Sequence, residues 1–329
     1  MVGMYAIRQH AFGPPDTLRY EQVPDPEPAE GQVRIAVRAA GVHLVDTVLR
    51  AGSYDGKFPD PELPMTPGRE VAGVVDAVGD GVDQGWLGAR VVAHLGWASG
   101  GYAERAVVAA RSAHRLPDEV GFDAAVAMIG TGRTALAVLD LAAVTSADVV
   151  LVPSAAGGLG NLFVQAALGA GAFVAGLAGG PEKVERVRAL GADAAVDYLE
   201  PDWPDRLRAA LGDREPSLVF DGVGGEVGRR SLQLLGVGGR QVIFGWTAGT
   251  PTRFETEDLL EKGLTVTSLG PRLIGRPEVI RALELRSLSE LAAGRLVPLV
   301  GSRFPLAKAA EAHAALESRG TVGKVLLEP

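Results

Sequence analysis

The sequence predicts an α/β chain in two parts, a mostly β first third followed by a doubly wound parallel sheet. Three observations carry that prediction. Early apolar residues alternate, in Val33, Ile35 and Val37 and again in Val71, Gly73 and Val75, the period-two pattern of half-buried strands. Near Leu116-Pro117 the texture changes, and from Ala124 onward Ala- and Leu-rich helical runs alternate with short apolar ones. Such alternation builds a parallel sheet wrapped by helices. Finally, 44 Gly and 21 Pro in a chain that is 47% hydrophobic predict many tight turns rather than low complexity.

Taken in order, the Pro-rich run PDPEPAEG (24–31) predicts a loop before the first alternating strand, and FPDPELPMTPG (58–68) a second, longer loop of the kind that often carries function. DVVLVP (148–153) reads as a short buried strand, and the chain from Gly160 as a helix. FVAGLA (173–178) is the next strand, and Pro181 opens the following helix, where a proline loses no hydrogen bond. That helix sets Val184, Val187 and Leu190 on one face and stops at Gly191. Further strands are expected at Ala194–Val196, Leu218–Phe220, Gln241–Phe244 and Leu264–Leu269, and a last helix and strand at Ala309–Leu316 and Lys324–Leu327. The 329 residues suggest two domains on a prior of roughly 100–200 each.

Composition excludes several functions. Thirty-two Lys and Arg against 40 Asp and Glu leave a net charge of −8, which argues against a nucleic-acid partner. There is no Cys, so disulfides, thiolate metal sites and cysteine nucleophiles are out. Arg8 and His10 interrupt the opening residues, and no apolar run reaches the ~18 residues of a membrane span. A soluble, cytoplasmic protein is expected.

The sharpest local signal is SAAGGLG (154–160), set between a strand and a helix. It fits G-x-G-x-x-G with Ala155 in the first glycine's place, Gly157 in the second and Gly160 in the third, with Gly158 and Leu159 between them. In such a loop, backbone amides approach a pyrophosphate that rests on the helix N-terminus. About 20 residues on, an acidic side chain would accept the ribose 2′-hydroxyl of NAD. Here LAGGPEK (177–183) has no acid before Glu182, and Lys183, Arg186 and Arg188 follow. A 2′-phosphate is favoured by cations, so the residues favour NADPH. The competing reading for Arg186 and Arg188 is pairing with Glu182 and Glu185 on a solvated helix face.

SAAGGLG, GVHLVDTVLRAGSY (41–54), PGREVAGVV (67–75), GGYAER (100–105) and ESRGTVGKVLLEP (317–329) run through the chain in order. Together they resemble the zinc-independent quinone oxidoreductases of the medium-chain dehydrogenase/reductase superfamily. The resemblance implies a GroES-like catalytic domain (1–118), an NADPH-binding Rossmann domain (119–270) and a return to the catalytic domain (271–329). It also implies that Ala178 stands where NAD-dependent relatives place a ribose-binding Asp. By the same resemblance Lys183, Tyr198 and Arg319 hold a 2′-phosphate, Thr134, Phe244 and Gly245 lie near the nicotinamide, and Asn161 caps the pyrophosphate contact. Zinc-containing relatives place a Cys and a His where this chain has His43 and Arg69. His43 with Glu70 falls short of the three protein ligands of a catalytic zinc, so no metal is expected.

Five His are present, and of them only His43 lies in an active-site motif of the family, where it would orient a carbonyl or give a proton. The plainer alternative is a histidine lining a pocket and bonded to Asp46 or to backbone. Tyr54 matches a proton-donating tyrosine of enoyl-thioester reductases, and equally one that only lines a quinone pocket. Tyr102 reads as packing, and Arg133 has no role assigned. No G-x-S-x-G hydrolase motif occurs. The expectation is an NADPH-dependent reductase of quinones or α,β-unsaturated carbonyls, a small-molecule enzyme and a homodimer paired through the uncharged strand LTVTSL (264–269). The alternatives are an enoyl-thioester reductase of the same fold and a non-enzymatic NADPH-binding structural or RNA-binding protein.

Overall fold

The computed structural model describes residues 3–53, 62–96, 99–270 and 276–329. In the first region come β1 (Gly3–Gln9), β2 (Leu18–Pro24), β3 (Gln32–Val42), α1 (Leu44–Ala51), β4 (Glu70–Val78), β5 (Arg90–His94), β6 (Arg105–Ala109), β7 (Ala113–Arg115) and α2 (Phe122–Ile129). The second holds α3 (Thr131–Ala142), β8 (Val149–Pro153), α4 (Gly158–Gly169), β9 (Phe173–Ala178), α5 (Pro181–Ala189), β10 (Ala194–Asp197) and α6 (Trp203–Leu211). It continues through β11 (Leu218–Asp221), α7 (Gly225–Gln233), β12 (Arg240–Ile243), α8 (Thr256–Lys262) and β13 (Thr265–Ser268), and α9 (Pro277–Ala292) leads out of it. β14 (Val300–Pro305), α10 (Ala309–Glu317) and β15 (Lys324–Glu328) complete the described elements.

Contacts divide the chain into two compact units, one of residues 1–130, 284–294 and 298–329, the other of 131–283 and 295–297. The β-rich unit holds a seven-stranded sheet in the order β14-β15-β3-β4-β5-β7, with β6 also pairing to β3. β15 lies antiparallel to β3, and β3 to β4. Val33, Ile35, Val71, Val75 and Val91 are buried in its core, as their alternation requires. A separate antiparallel pair, β1 with β2, precedes them. The sequence reading did not anticipate it, because Ala6 and Ile7 are both buried and break the alternation.

The other unit is the expected doubly wound sheet, all parallel, in the order β10-β9-β8-β11-β12-β13. The order reverses between β8 and β11, and the crevice at the carboxyl ends of such strands is where these folds bind ligands. Strand boundaries match the expectation to within one residue, and FVAGLA is β9 as predicted. Among the described residues β13 is one of the two edge strands of this sheet, with β10 at the other end, and LTVTSL is thus its last strand as expected. Among the described residues no single helix is long and apolar enough to cross a membrane.

Candidate functional site

The loop Ser154–Gly160 leaves the carboxyl end of β8 and enters α4 at Gly158, at the point where the strand order reverses. Ser154 takes a left-handed φ of 58°, and its carbonyl accepts from Gly157 N at 2.9 Å, which coils the loop on itself. A Cβ at Gly160 would stand 2.2 Å from Ser154 O and 2.8 Å from Ala155 Cα, so only glycine lets α4 pack this close. Ala155 is fully buried and packs toward Gly176 of β9, where a Cβ would fall 3.0 Å from the Ala155 methyl. Gly157, Gly158 and Leu159 remain partly exposed at the helix start. First-turn amides have no acceptor within their own helix, so this end can take an anion. The cradle therefore fits a dinucleotide pyrophosphate. Asn161 is buried and its side-chain carbonyl accepts from Gln165 at 2.9 Å.

At the end of β9, Ala178 is buried and pairs in register with Asp197 of β10. Asp197 Oδ1 accepts from Gly180 N at 3.0 Å and from Leu199 N at 2.9 Å, tying the Gly179–Gly180 turn to the segment that carries Tyr198. A Cβ at Gly179 would lie 3.4 Å from the Tyr198 hydroxyl, so the ring lies against this turn. Lys183 stands in the first turn of α5, half-buried. Arg186 pairs with Glu182 at 3.3 Å, and Arg188 pairs with Glu185, all on an exposed face. Those two arginines thus follow the plainer reading. Sequence inspection missed Asp197, because its acid arrives on the neighbouring strand rather than after Ala178.

Phe244 follows β12, and its ring sits tilted against Phe163 of α4 at 5.1 Å between centroids. Gly222 makes that possible, since a Cβ there would stand 2.4 Å from the Phe244 ring. Gly245 is half-buried, and Thr134 lies on α3 of the same unit. Arg319 is carried by the β-rich unit, exposed in the turn after α10 with φ 57°. Tyr54 lies outside the described residues.

His43 sits at the end of β3, directly before α1. Its Nε2 is 2.7 Å from Glu70 Oε2, and Lys324 Nζ is 2.9 Å from each of those atoms. Sheet order explains the meeting. β15 and β4 flank β3, so Lys324 at the start of one and Glu70 at the start of the other arrive on either side of the β3 end. Glu70 and Lys324 side chains are 0% and 5% exposed, against 21% for His43. Two glycines make the space: a Cβ at Gly41 would fall 2.3 Å from Glu70 Oε2, and one at Gly130 would fall 1.9 Å from Oε1. Burial pushes the Glu70 carboxyl up, but the charges of His43 and Lys324 more than reverse this and hold it well below the usual carboxylate range. Among the described residues no three His, Asp or Glu side chains are grouped for a metal ion. A lysine ammonium completes this group instead, and a cation there repels a metal.

Behind His43 lies a second buried network. Asp46 Oδ2 accepts the His43 backbone N–H at 2.8 Å and the Tyr102 hydroxyl at 3.0 Å, and Arg69 reaches Oδ1 at 3.3 Å. Tyr102 is thus buried, as its packing role required, and also bonded. His313 Nε2 lies 3.3 Å from the Tyr102 hydroxyl. Burial, with the nearby charge of Arg50, pushes His313 down to about 4, so it is neutral; the Tyr102 hydroxyl gives its hydrogen to Asp46, which leaves its oxygen to accept from Nε2. Lys324 and His313 were not singled out from sequence, for both sit in the last stretch of chain, hundreds of residues from their partners.

Residues 29–118 match the alcohol dehydrogenase GroES-like domain, and residues 158–287 the zinc-binding dehydrogenase domain. The resemblance places His43 and Arg69 where zinc-containing relatives have a Cys and a His. The chain is 33% identical over 327 residues to the quinone oxidoreductase of Sus scrofa, covering 98% of this chain and 97% of that one. The structure of Escherichia coli quinone oxidoreductase complexed with NADPH superimposes with a TM-score of 0.86 at 32% identity, covering 99% of this chain and 100% of that one. An NAD-dependent alcohol dehydrogenase superimposes with a TM-score of 0.85 at 31% identity, over 99% of this chain and 100% of its own.

Proposed function

The chain belongs to the quinone oxidoreductase family and is an oxidoreductase; from that premise we propose that it reduces quinones or α,β-unsaturated carbonyls with NADPH, without a metal ion. The observation that carries this reading is the glycine cradle at the strand-order reversal, where Gly160 admits no side chain. Ala155, Gly157, Gly158, Leu159 and Gly160 would hold the pyrophosphate. Lys183 and Tyr198 would hold the 2′-phosphate, with Ala178 in place of a repelling acid. Thr134, Phe244 and Gly245 would hold the nicotinamide end. Bound there, the cofactor supplies the hydride from its C4.

The chain's own side chains then have one task, to stabilise and protonate the oxygen that gains charge. Reducing a simple ketone without a metal leaves an alkoxide poorly stabilised. A conjugated acceptor delocalises the charge onto a distant enolate or hydroquinone oxygen, for which one or two hydrogen bonds suffice. His43 and Tyr54 are the donors this reading assigns. The Lys324 ammonium between His43 and Glu70, with Arg69 close by, favours chemistry without a bound metal. The catalytic domain (1–118 and 271–329) and the NADPH domain (119–270) of this reading would correspond to the two compact units, whose own bounds fall after residues 130 and 283. The uncharged edge strand β13 favours a homodimer, since a bare edge invites pairing. A consumer of NADPH works where that cofactor is generated, which favours the cytoplasm.

The test is NADPH oxidation across quinones, alkenals and enoyl thioesters, with secondary-alcohol oxidation as the control. Turnover of a quinone or an alkenal is expected. Efficient alcohol oxidation with no conjugated acceptor reduced would sink the reading. His43→Ala and Tyr54→Phe should each lower turnover about 10²–10³-fold where the donor stabilises the transition state.

A further inference from the structure

The N-cap of α5 is Gly180, with φ 89° and no side chain to offer the first-turn amides. In a capping box the side chain three positions on reaches back and accepts from the N-cap amide. Here that position holds Lys183, whose ammonium accepts nothing. The acceptor comes from the next strand instead, where Asp197 Oδ1 takes the Gly180 N–H at 3.0 Å. The same oxygen takes the Leu199 N–H at 2.9 Å, while the Tyr198 N–H goes to Ala178 O at 3.1 Å. One carboxylate oxygen thus holds both the residue three before Lys183 and the residue directly after Tyr198. The Tyr198 hydroxyl lies at this turn, 3.4 Å from where a Cβ on Gly179 would stand. A lysine in a first helical turn is opposed by the helix dipole, and an anion bound there would offset that cost.

We propose that Asp197 is a positioning residue for cofactor choice, selecting NADPH over NADH by holding Lys183 and Tyr198 around the Gly179–Gly180 turn. This rests on NADPH as the protein's cofactor. In NAD-binding folds an acid at the end of this strand takes the ribose 2′-hydroxyl. Ala178 leaves that place without one, and the carboxylate in register with it, one strand over, has Oδ1 committed to two backbone amides. Its charge would repel a 2′-phosphate met directly, so it serves NADPH only through the groups it holds. Because both bonds end on Oδ1, an asparagine keeps them and gives up only the charge.

Calorimetric titration of the whole protein with NADPH and with NADH tests this by binding alone. Asp197→Ala should weaken NADPH roughly tenfold, as loss of hydrogen bonds to a charged group does, and leave NADH within about twofold. Asp197→Asn should bind NADPH as tightly as the wild type or more tightly. With Lys183→Ala and Tyr198→Phe already in place, Asp197→Ala should cost little more, since the groups it acts through are gone. Equal losses of both cofactors in Asp197→Ala overturn the proposal, and so does a loss of NADH alone, which would make Asp197 the ribose acceptor. Should the alanine variant not fold, Asp197→Asn decides: a kept NADPH preference supports the proposal and a roughly tenfold loss of NADPH overturns it. A wild-type protein that binds NADH as tightly as NADPH defeats the cofactor reading and this proposal with it. NADPH binding without reduction of any quinone or enone defeats the activity alone.

Discussion

The glycine loop after β8 and the His43–Glu70–Lys324 trio both stand at strand ends, yet they are made of opposite materials. The loop is backbone amides and missing side chains: Gly160 and Gly176 contribute by leaving room. It buries no charge and asks nothing of distant residues. The trio is side chains alone, a carboxylate and an ammonium almost wholly buried. Taking such ions out of water is costly unless their partners stay in place. A backbone site can therefore be damaged without unfolding the protein, whereas a buried charged site is part of what keeps its unit folded.

That contrast is sharpest for Glu70→Ala, which strands the Lys324 ammonium in the β-rich unit. Stability should drop by about 3–5 kcal/mol in a denaturant titration; a drop under about 1 kcal/mol would mean the trio is no structural ion pair. Next in size is a pH effect. His313 titrates near 4 when folded against an ordinary 6.5, so the unfolded chain binds the extra proton first. Its contribution is complete above 6.5 and is lost as the pH falls toward 4, by on the order of 3 kcal/mol. Unfolding midpoints measured across that window should slope downward with acid, and His313→Gln should flatten the slope.

Gly160→Ala tests the other side of the contrast. Its methyl meets the Ser154 carbonyl, and overpacking of about 1–3 kcal/mol should raise the NADPH dissociation constant up to ~10²-fold in a fluorescence titration. Binding unchanged would remove the cradle from the cofactor site. The smallest effect is expected from Lys183→Ala, which should weaken NADPH about tenfold, near 1.4 kcal/mol, and leave NADH nearly untouched. Equal losses for both cofactors would assign Lys183 to the helix surface rather than to a 2′-phosphate.

These two sites also differ in how far they could be read from the sequence. Residues 154–160 are contiguous, their spacing is a backbone requirement, and the strand before and helix after them are visible in the hydrophobic pattern. His43 was visible through its motif. Its partners were not, because a period-two pattern tells which face a residue takes but not which strand lies beside it. Lys324 and Glu70 are 254 residues apart and meet only through the order β15-β3-β4. Asp197 was hidden in the same way, one strand over from Ala178. Arg186 and Arg188 were legible because helix neighbours three and four residues apart follow from the sequence alone.

The pairing of β15 with Ala40, Gly41 and Val42 of β3 also bears on how the protein is made. During synthesis β3 and β4 emerge early, while the strand that covers this part of β3 follows only after the whole parallel sheet. Until then the segment offers unpaired amides and carbonyls to any neighbouring chain, and closing so long a loop is slow. The parallel sheet, whose paired strands are separated by far less chain than β3 and β15, can form meanwhile on its own contacts. Expression at high temperature should therefore trap nascent chains at the β-rich unit first, and a chaperone that shields exposed strand edges should raise the soluble yield.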